Sequence, residues 1–283
     1  MIVRIMPGAF GAIAEGVDLS RDSTDATIRM LIDALHAHQI IVIKDQNLSD
    51  ADYVAFGRQF GTPLSFFLAA HRNDEFPEMI GINNAASTLE HFRDGAAHWH
   101  ADSTYEEVPA SVTMLYGVEV PDTGGETLIA NCALAYDALD DETKARLDPL
   151  VGLHCLGGSP PLPGERIPFV PESTAANGIQ KHPLVMRHPV TGRKALFPSA
   201  TAFGVEGMDR DEGRHLIATL RAHIVQPRFV TQYKVERGDV FLWDNFQVLH
   251  TATPIEYSDE PGKRRMLYRI STKGLPASCK PAA

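Results

Sequence analysis

The sequence predicts a mainly β chain with flanking helices, arranged as a double-stranded β-helix, or jelly roll. Three observations point there. Short segments rich in β-branched and aromatic residues dominate the middle and the end of the 283-residue chain. Helical periodicity is confined to a few segments set between them. Strand and helix do not alternate in the manner that builds a parallel doubly wound sheet, so an antiparallel two-sheet roll with helices outside fits best. Residues 1–283 read as a single domain of this kind, a size that all-β units commonly reach.

Taken in order, residues 2–18 are short-strand material interrupted by Gly8, Gly11 and Gly16. Residues 25–38 read as a helix, because Ile28, Leu31, Ile32 and Leu35 recur on one face and Ser23 or Thr24 can cap the start. The β-branched run at 39–44 follows as a buried strand. Residues 49–60 form a second helix, with Ser49 and Asp52 at capping-box spacing. Residues 66–97 show no period and read mainly as loop. Residues 99–105 are expected to be extended. Strands at 111–120 and 126–130 meet across a Gly124-Gly125 turn, and 133–147 reads as one helix. The stretch 156–180 is rich in Gly and Pro; with 66–97 it is the expected wall or lid of a site. Two short strands surround a turn at Thr191-Gly192 within 182–197. A helix covers 209–225, with Leu216, Ile217, Leu220 and Ile224 inward, and strands are expected at 228–235, 239–243 and 264–271.

Composition excludes several functions. The net charge of −10 leaves no nucleic-acid footprint and disfavours anionic membranes. No apolar run reaches the length of a membrane span. Residues 1–10 lack a basic start followed by a long apolar stretch, so no signal peptide is expected. Cys132, Cys155 and Cys279 are odd in number and far apart, which reads as free thiols in a reducing cytoplasm.

The chemistry concentrates at His98-Trp99-His100-Ala101-Asp102. In an extended chain His100 and Asp102 point to one face, since side chains alternate with period two. They make half of a metal site. His250, in Val248-Leu249-His250-Thr251-Ala252 after an apolar strand, is either a structural histidine or a candidate third ligand that a jelly roll could bring onto a facing strand. Two His and one carboxylate with the opposite face open suit non-haem Fe(II) and O2 chemistry. A 2-oxo acid could chelate such an ion, and its far carboxylate would need a cation. Arg265 and Arg269, four apart on the last strand, can supply one, because the guanidinium grips a carboxylate with paired hydrogen bonds. The alternative is that Arg264 and Arg265 lie in solvent. Phe66, Phe67, Phe203 and Tyr105 could make an apolar pocket or simply core, and His71 and His91 could line it.

These residues resemble the taurine dioxygenase and chlorophenoxyacetate dioxygenase family of Fe(II)/2-oxoglutarate-dependent oxygenases. The resemblance runs from about Gly8 to about Gly274. It rests on Gly16-Val17-Asp18-Leu19-Ser20, His38-Gln39-Ile40-Ile41-Val42-Ile43, Trp99-His100-Ala101-Asp102, Gly124-Gly125-Glu126-Thr127, His182-Pro183, His188-Pro189 with Gly192-Arg193-Lys194, Trp243-Asp244-Asn245, His250, and Arg264-Arg265-Met266-Leu267-Tyr268-Arg269. It implies that His100, Asp102 and His250 bind Fe(II), and that Thr127 and Arg265 hold the distal carboxylate of 2-oxoglutarate. Arg269 is implied to contact an anionic substrate or the cosubstrate. The implied reaction consumes O2 and hydroxylates a C–H of a small organic acid: a sulfonate, a sulfate ester, or an aryloxy or alkyl carboxylate. Collapse to a cleaved product is possible for some of these. The resemblance also implies a homo-oligomer, dimer or tetramer. Two departures stand out. Residues 258–262 lengthen the run from His250 to Arg265, and Ala96 and Ala97 stand near a position where the taurine enzyme is polar, which argues against taurine itself. Other readings of the same residues are a jelly-roll metal hydrolase, against which the paired arginines speak, and a non-catalytic metal-binding protein.

Overall fold

The computed structural model describes residues 1–66, 71–85, 97–158 and 178–279. Two sheets face one another across an apolar core. The larger runs in the order Ile2–Ile5, Ala12–Glu15, Ile40–Ile43, Val240–Asp244, Val112–Glu119, Met266–Lys273. Thr62–Pro63 and Ile80–Asn83 both pair with the last of these. Only Ala12–Glu15 against Ile40–Ile43 is parallel among its described pairs. The smaller sheet holds Val230–Tyr233, Thr127–Asn131 and Val248–Ala252, and a lone bridge from His100 to His250 extends it.

Period-two alternation sorts the side chains into layers. Ile40, Val42, Leu115, Phe241, Trp243 and Leu267 of the large sheet meet Ile129 and Val248 of the small one to form the inner core. The opposite-facing Ile41, Ile43, Met114, Val240 and Leu242 pack against Ile28, Leu31, Ile32 and Leu35 of the helix Asp25–His38 and Tyr53 and Phe56 of the helix Asp50–Gly57. Outside the small sheet, Ala130 and Leu249 pack against Ile217, Leu220 and Ile224 of the helix Arg210–Ile224. The result is helix, sheet, sheet, helix: the expected jelly roll.

Local signals set the element boundaries. Thr24 caps Asp25–His38, and Gln39 ends it in the left-handed region at φ 65°, so the strand starts at Ile40 rather than at 39. Ser49 and Asp52 close a reciprocal capping box, but the helix they start runs only to Gly57 and tightens into a 3-10 turn at Arg58–Phe60. The single helix expected over 133–147 is two, Cys132–Asp137 and Asp141–Leu147. Asp140 interrupts it because its carboxylate accepts the Thr143 amide at 2.7 Å, capping a new start. The loop expected over 66–97 contains the strand Ile80–Asn83; residues 67–70 and 86–96, with Phe67, His91 and Ala96, lie outside the described residues. The same is true of 159–177 in the second expected lid. Strands Val151–His154 and Ala202–Val205, unforeseen in the sequence, pair with one another. Cys132, Cys155 and Cys279 are free thiols, as expected.

Gly117 lies where the Val112–Glu119 strand passes under the 236–239 turn, exchanging backbone hydrogen bonds with Gly238 and Asp239. A Cβ there would come within 2.2 Å of the Glu236 carbonyl oxygen. Gly117→Ala is therefore expected to destabilise the fold by about 2 kcal/mol, since the obstruction is backbone that cannot rotate away. A urea-unfolding midpoint equal to that of the parent protein would contradict this.

Candidate metal centre

The small sheet brings His100 and His250 side by side. Their backbones exchange both hydrogen bonds, His100 N to His250 O at 2.9 Å and His250 N to His100 O at 2.8 Å, and their ring centroids lie 4.1 Å apart. Asp102 completes the group. His100 Nε2 is 3.8 Å from Asp102 Oδ1, and His250 Nε2 is 3.7 Å from Asp102 Oδ2. These separations are too long for hydrogen bonds. They are short enough for one ion, with ligand bonds of about 2.0–2.2 Å, to touch all three.

The protonation of each group suits that use. His100 Nδ1 donates to the His98 carbonyl at 2.6 Å, leaving the Nε2 lone pair aimed at the shared point. Burial pushes His250 down to about 3, and the adjacent His100 adds to the effect, so its imidazole is neutral. Burial opposes charge on Asp102, but Arg269, the two imidazoles and the Thr113 hydroxyl together hold its carboxyl well below the usual range. Two imidazole nitrogens and one carboxylate thus converge, and they fit a divalent ion of the first transition row.

Two expectations about how the group assembles are corrected. Residues 99–105 are not an extended strand. Alternation holds for His100, the outward-packed Ala101 and Asp102, after which the chain turns, with Ser103 at φ 56°. Nor does His250 face the pair from an opposing strand: it is the neighbour of His100 in the same sheet. Val248 and His250 both face inward, and the Trp243 ring lies 4.5 Å from the His250 ring.

The arginines separate. Arg264 is exposed and pairs with Glu119 at 3.0 Å. Arg265 is held inward: its amide donates to Asn84 Oδ1 at 2.7 Å, and a Cβ on Gly125 would lie 3.4 Å from its Cδ. Among the described residues its guanidinium meets no carboxylate at ion-pair distance, and burial pushes its pKa down to about 10 against the opposing charge of Glu126. Thr127 is buried on the inward face of its strand, just past the same glycine turn, opposite Ala252. Arg269 reaches the metal group itself, with Nη1 3.7 Å from Asp102 Oδ1 and its guanidinium 5.5 Å over the Phe66 ring. A small cleft opens beside it, lined by Leu64, Phe66, Ile80 and Tyr105 and by the carboxylates of Glu78 and Glu106 among others. Phe66 and Tyr105 line it as expected. Phe203 sits on the Ala202–Val205 strand and is not among its lining residues.

A second group, His36, His188 and Asp244, also has ligand-like spacing. Its protons argue against a metal. His188 Nδ1 accepts the Val190 and Thr191 amides at 3.2 and 2.9 Å, so its proton sits on Nε2 and bonds Asp244 at 2.9 Å. Binding an ion at Nε2 would require an imidazolate. This pair fastens the turn at His188 to the end of the Val240–Asp244 strand. Three residues that matter at the main site were given no role there by the sequence: Asn84, Thr113 and Asn245, the last although it belongs to the Trp243-Asp244-Asn245 motif. The signal for Thr113 was available, as a polar side chain at an inward position of an apolar strand.

Residues 3–271 match the family described as taurine catabolism dioxygenase TauD, TfdA family. An (S)-phenoxypropionate/alpha-ketoglutarate-dioxygenase of Sphingobium herbicidovorans is 32% identical over 96% of this chain and 95% of its own. An alpha-ketoglutarate-dependent 2,4-dichlorophenoxyacetate dioxygenase of Cupriavidus pinatubonensis is 30% identical, covering 93% and 94%. Among solved structures, AAD-2 in complex with Mn(II) and N-oxalylglycine superposes with a TM-score of 0.79 at 30% identity, covering 96% of this chain and 98% of that one.

Burial also governs His154, which is fully enclosed and pushed down from 6.5 to about 3, with His182 and Arg221 adding to the effect. Below pH 6.5 the unfolded chain takes up a proton that the folded protein refuses until about pH 3, so this residue lowers stability as pH falls through that window. In His154→Gln the unfolding free energy, measured in urea across the window, should fall less steeply with acid than in the parent. Equal slopes would contradict the assignment.

Proposed function

The chain belongs to the taurine catabolism dioxygenase TauD, TfdA family, and from that premise we propose that His100, Asp102 and His250 hold Fe(II), that Thr127 and Arg265 hold the distal carboxylate of 2-oxoglutarate, and that Arg269 faces an anionic group of the substrate. The protein is an Fe(II)- and 2-oxoglutarate-dependent dioxygenase acting on small organic acids. The observation that carries the assignment of residues is the convergence of two imidazole nitrogens and an ionised carboxylate at 3.7–3.8 Å, with an inward arginine that has no carboxylate at ion-pair distance among the described residues. In a related structure Mn(II) and N-oxalylglycine are bound, and these stand in for Fe(II) and 2-oxoglutarate.

Bound Fe(II) supplies the activation of O2 that couples conversion of 2-oxoglutarate to succinate and CO2 with insertion of one oxygen atom into a substrate C–H bond. The chain's own residues prepare this. Arg265 carries a partly buried charge that an arriving carboxylate would neutralise with paired hydrogen bonds, and the Thr127 hydroxyl can add a third. Arg269 offers a second cation at the edge of the cleft, where Phe66, Ile80 and Tyr105 supply apolar surface for the body of a substrate beside the polar Glu78 and Glu106. A sulfonate, a sulfate ester or an aryloxy or alkyl carboxylate meets both demands. Where the hydroxyl lands beside an ether or ester oxygen, the product collapses to a carbonyl compound and a released fragment. Free cysteines fit a reducing cytoplasm. A homo-oligomer belongs to the same reading; Ile2 and Ile5, 69% and 70% exposed on the outermost strand of the large sheet, support it.

With Fe(II), ascorbate and 2-oxoglutarate the protein should release succinate, slowly alone and faster with one member of a panel of sulfonates, sulfate esters and aryloxy acids. His100→Ala should abolish the release. Hydrolysis supported by Zn without succinate would favour a hydrolase instead. Arg265→Gln should weaken 2-oxoglutarate binding by roughly thirtyfold, the loss of about 2 kcal/mol for charged hydrogen bonds, while leaving metal affinity in place. An unchanged KM for 2-oxoglutarate would remove Arg265 from the cosubstrate site.

A further inference from the structure

The described residues hold Asp102 at both ends through one closed hydrogen-bond circuit. The amide of Asp102 donates to Asn245 Oδ1 at 3.1 Å, and Trp243 Nε1 donates to the same oxygen at 3.2 Å. Two N–H donors on one atom fix which end of the Asn245 side chain is the carbonyl. Its NH2 must then face the other way, where it donates to Thr113 Oγ1 at 2.9 Å. A hydroxyl that accepts there has its single proton free to point elsewhere. The closest acceptor is Asp102 Oδ2, at 2.6 Å. Ser271 Oγ, 3.0 Å from Thr113 Oγ1, then donates into the hydroxyl rather than competing for its proton. Asn245 and Thr113 are fully buried and Asp102 nearly so, and water does not loosen the circuit.

We propose that Thr113 and Asn245 are positioning residues for the metal, fixing the orientation in which the Asp102 carboxylate is offered to the ion that His100 and His250 would share. The proposal rests on the reading of His100, Asp102 and His250 as the iron ligands. The physical reason is direct. A carboxylate on a free side chain can rotate and offer one oxygen or two. Here a short, charge-assisted bond occupies a lone pair of Oδ2 and draws down its donor strength, while the Asp102 backbone is pinned by the same asparagine. A carboxylate held in one orientation would leave room at the ion for a chelating oxo acid and O2. The direction of every proton in the circuit follows from Trp243 and the Asp102 amide, so one hydroxyl is the switch point.

The test uses the full-length, metal-free protein and Co(II) alone as probe, titrated anaerobically and read by its visible absorption. Thr113→Val keeps the shape and removes the hydroxyl; Thr113→Ser keeps the hydroxyl and removes a methyl. Thr113→Val should bind Co(II) at least about tenfold more weakly, with a changed ligand-field spectrum, and Thr113→Ser should return both to within roughly twofold of the parent. If Thr113→Val does not fold, as judged by circular dichroism, Thr113→Ala removes the same hydroxyl without added bulk and is judged by the same criteria. Parent-like affinity and spectrum in the hydroxyl-less variant would overturn the positioning role while leaving the metal reading intact. Failure of the parent protein itself to take up Co(II) would overturn both, and that outcome is seen before any variant is made.

Discussion

The exchange of two backbone hydrogen bonds between His100 and His250 is the constraint on which the rest of the structure depends. It places two imidazoles side by side without using either side chain to do so. The register continues along the sheet, with His250 opposite Ile129 and Ala252 opposite Thr127. A slip of one residue would turn His250 into the outer core and Leu249 into the centre, because every side chain changes face. The site is therefore as precise as the pairing of a strand that is buried on both sides. Apolar packing on each face makes that register costly to change.

Burial serves two ends at once. The inner core that stabilises the roll also keeps His250 neutral, since water is absent to solvate an imidazolium. A neutral imidazole is the form that can ligate a metal. The same surroundings would neutralise Asp102 were it not for the cation of Arg269 and the Thr113 hydroxyl beside it. Arg269 thus belongs to the electrostatics of the centre as well as to the edge of the cleft. The second histidine–aspartate group shows the contrast. There the imidazole accepts backbone amides on one nitrogen and donates to Asp244 from the other, a crosslink with no lone pair left to offer.

Much of this was legible in the residues. Periodicity located the helices Asp25–His38 and Arg210–Ile224, and β-branched runs located the central strands, because both signals come from faces that must be buried. The three candidate ligands could be named because a third His follows an apolar strand and the surrounding motifs resemble a known family; the His-x-Asp spacing alone is a weak signal. The failures are local and have physical causes. A short acidic cap divided one expected helix at Asp140. Residues 99–105 looked extended because alternation persists for only three of them, and the turn at Ser103 carries no glycine to announce it. Val151–His154 and Ala202–Val205 are stabilised by one another, a pairing that neither segment encodes alone. Asn84, Thr113 and Asn245 were invisible as site residues because their importance lies in which atoms they meet across the fold.

Asn84 has a wider consequence. Its amide donates to the carbonyls of Glu256 and Lys263, its backbone oxygen accepts the Ser258 amide, and its side-chain oxygen accepts the Arg265 amide. Both feet of the intervening segment are tied to one residue, and 259–264 are exposed between them. Chain length in that stretch is thereby decoupled from the placement of Arg265. The extra residues after His250 form an outward blister that can grow, shrink or accept a graft over the course of evolution, while the guanidinium below stays at its post.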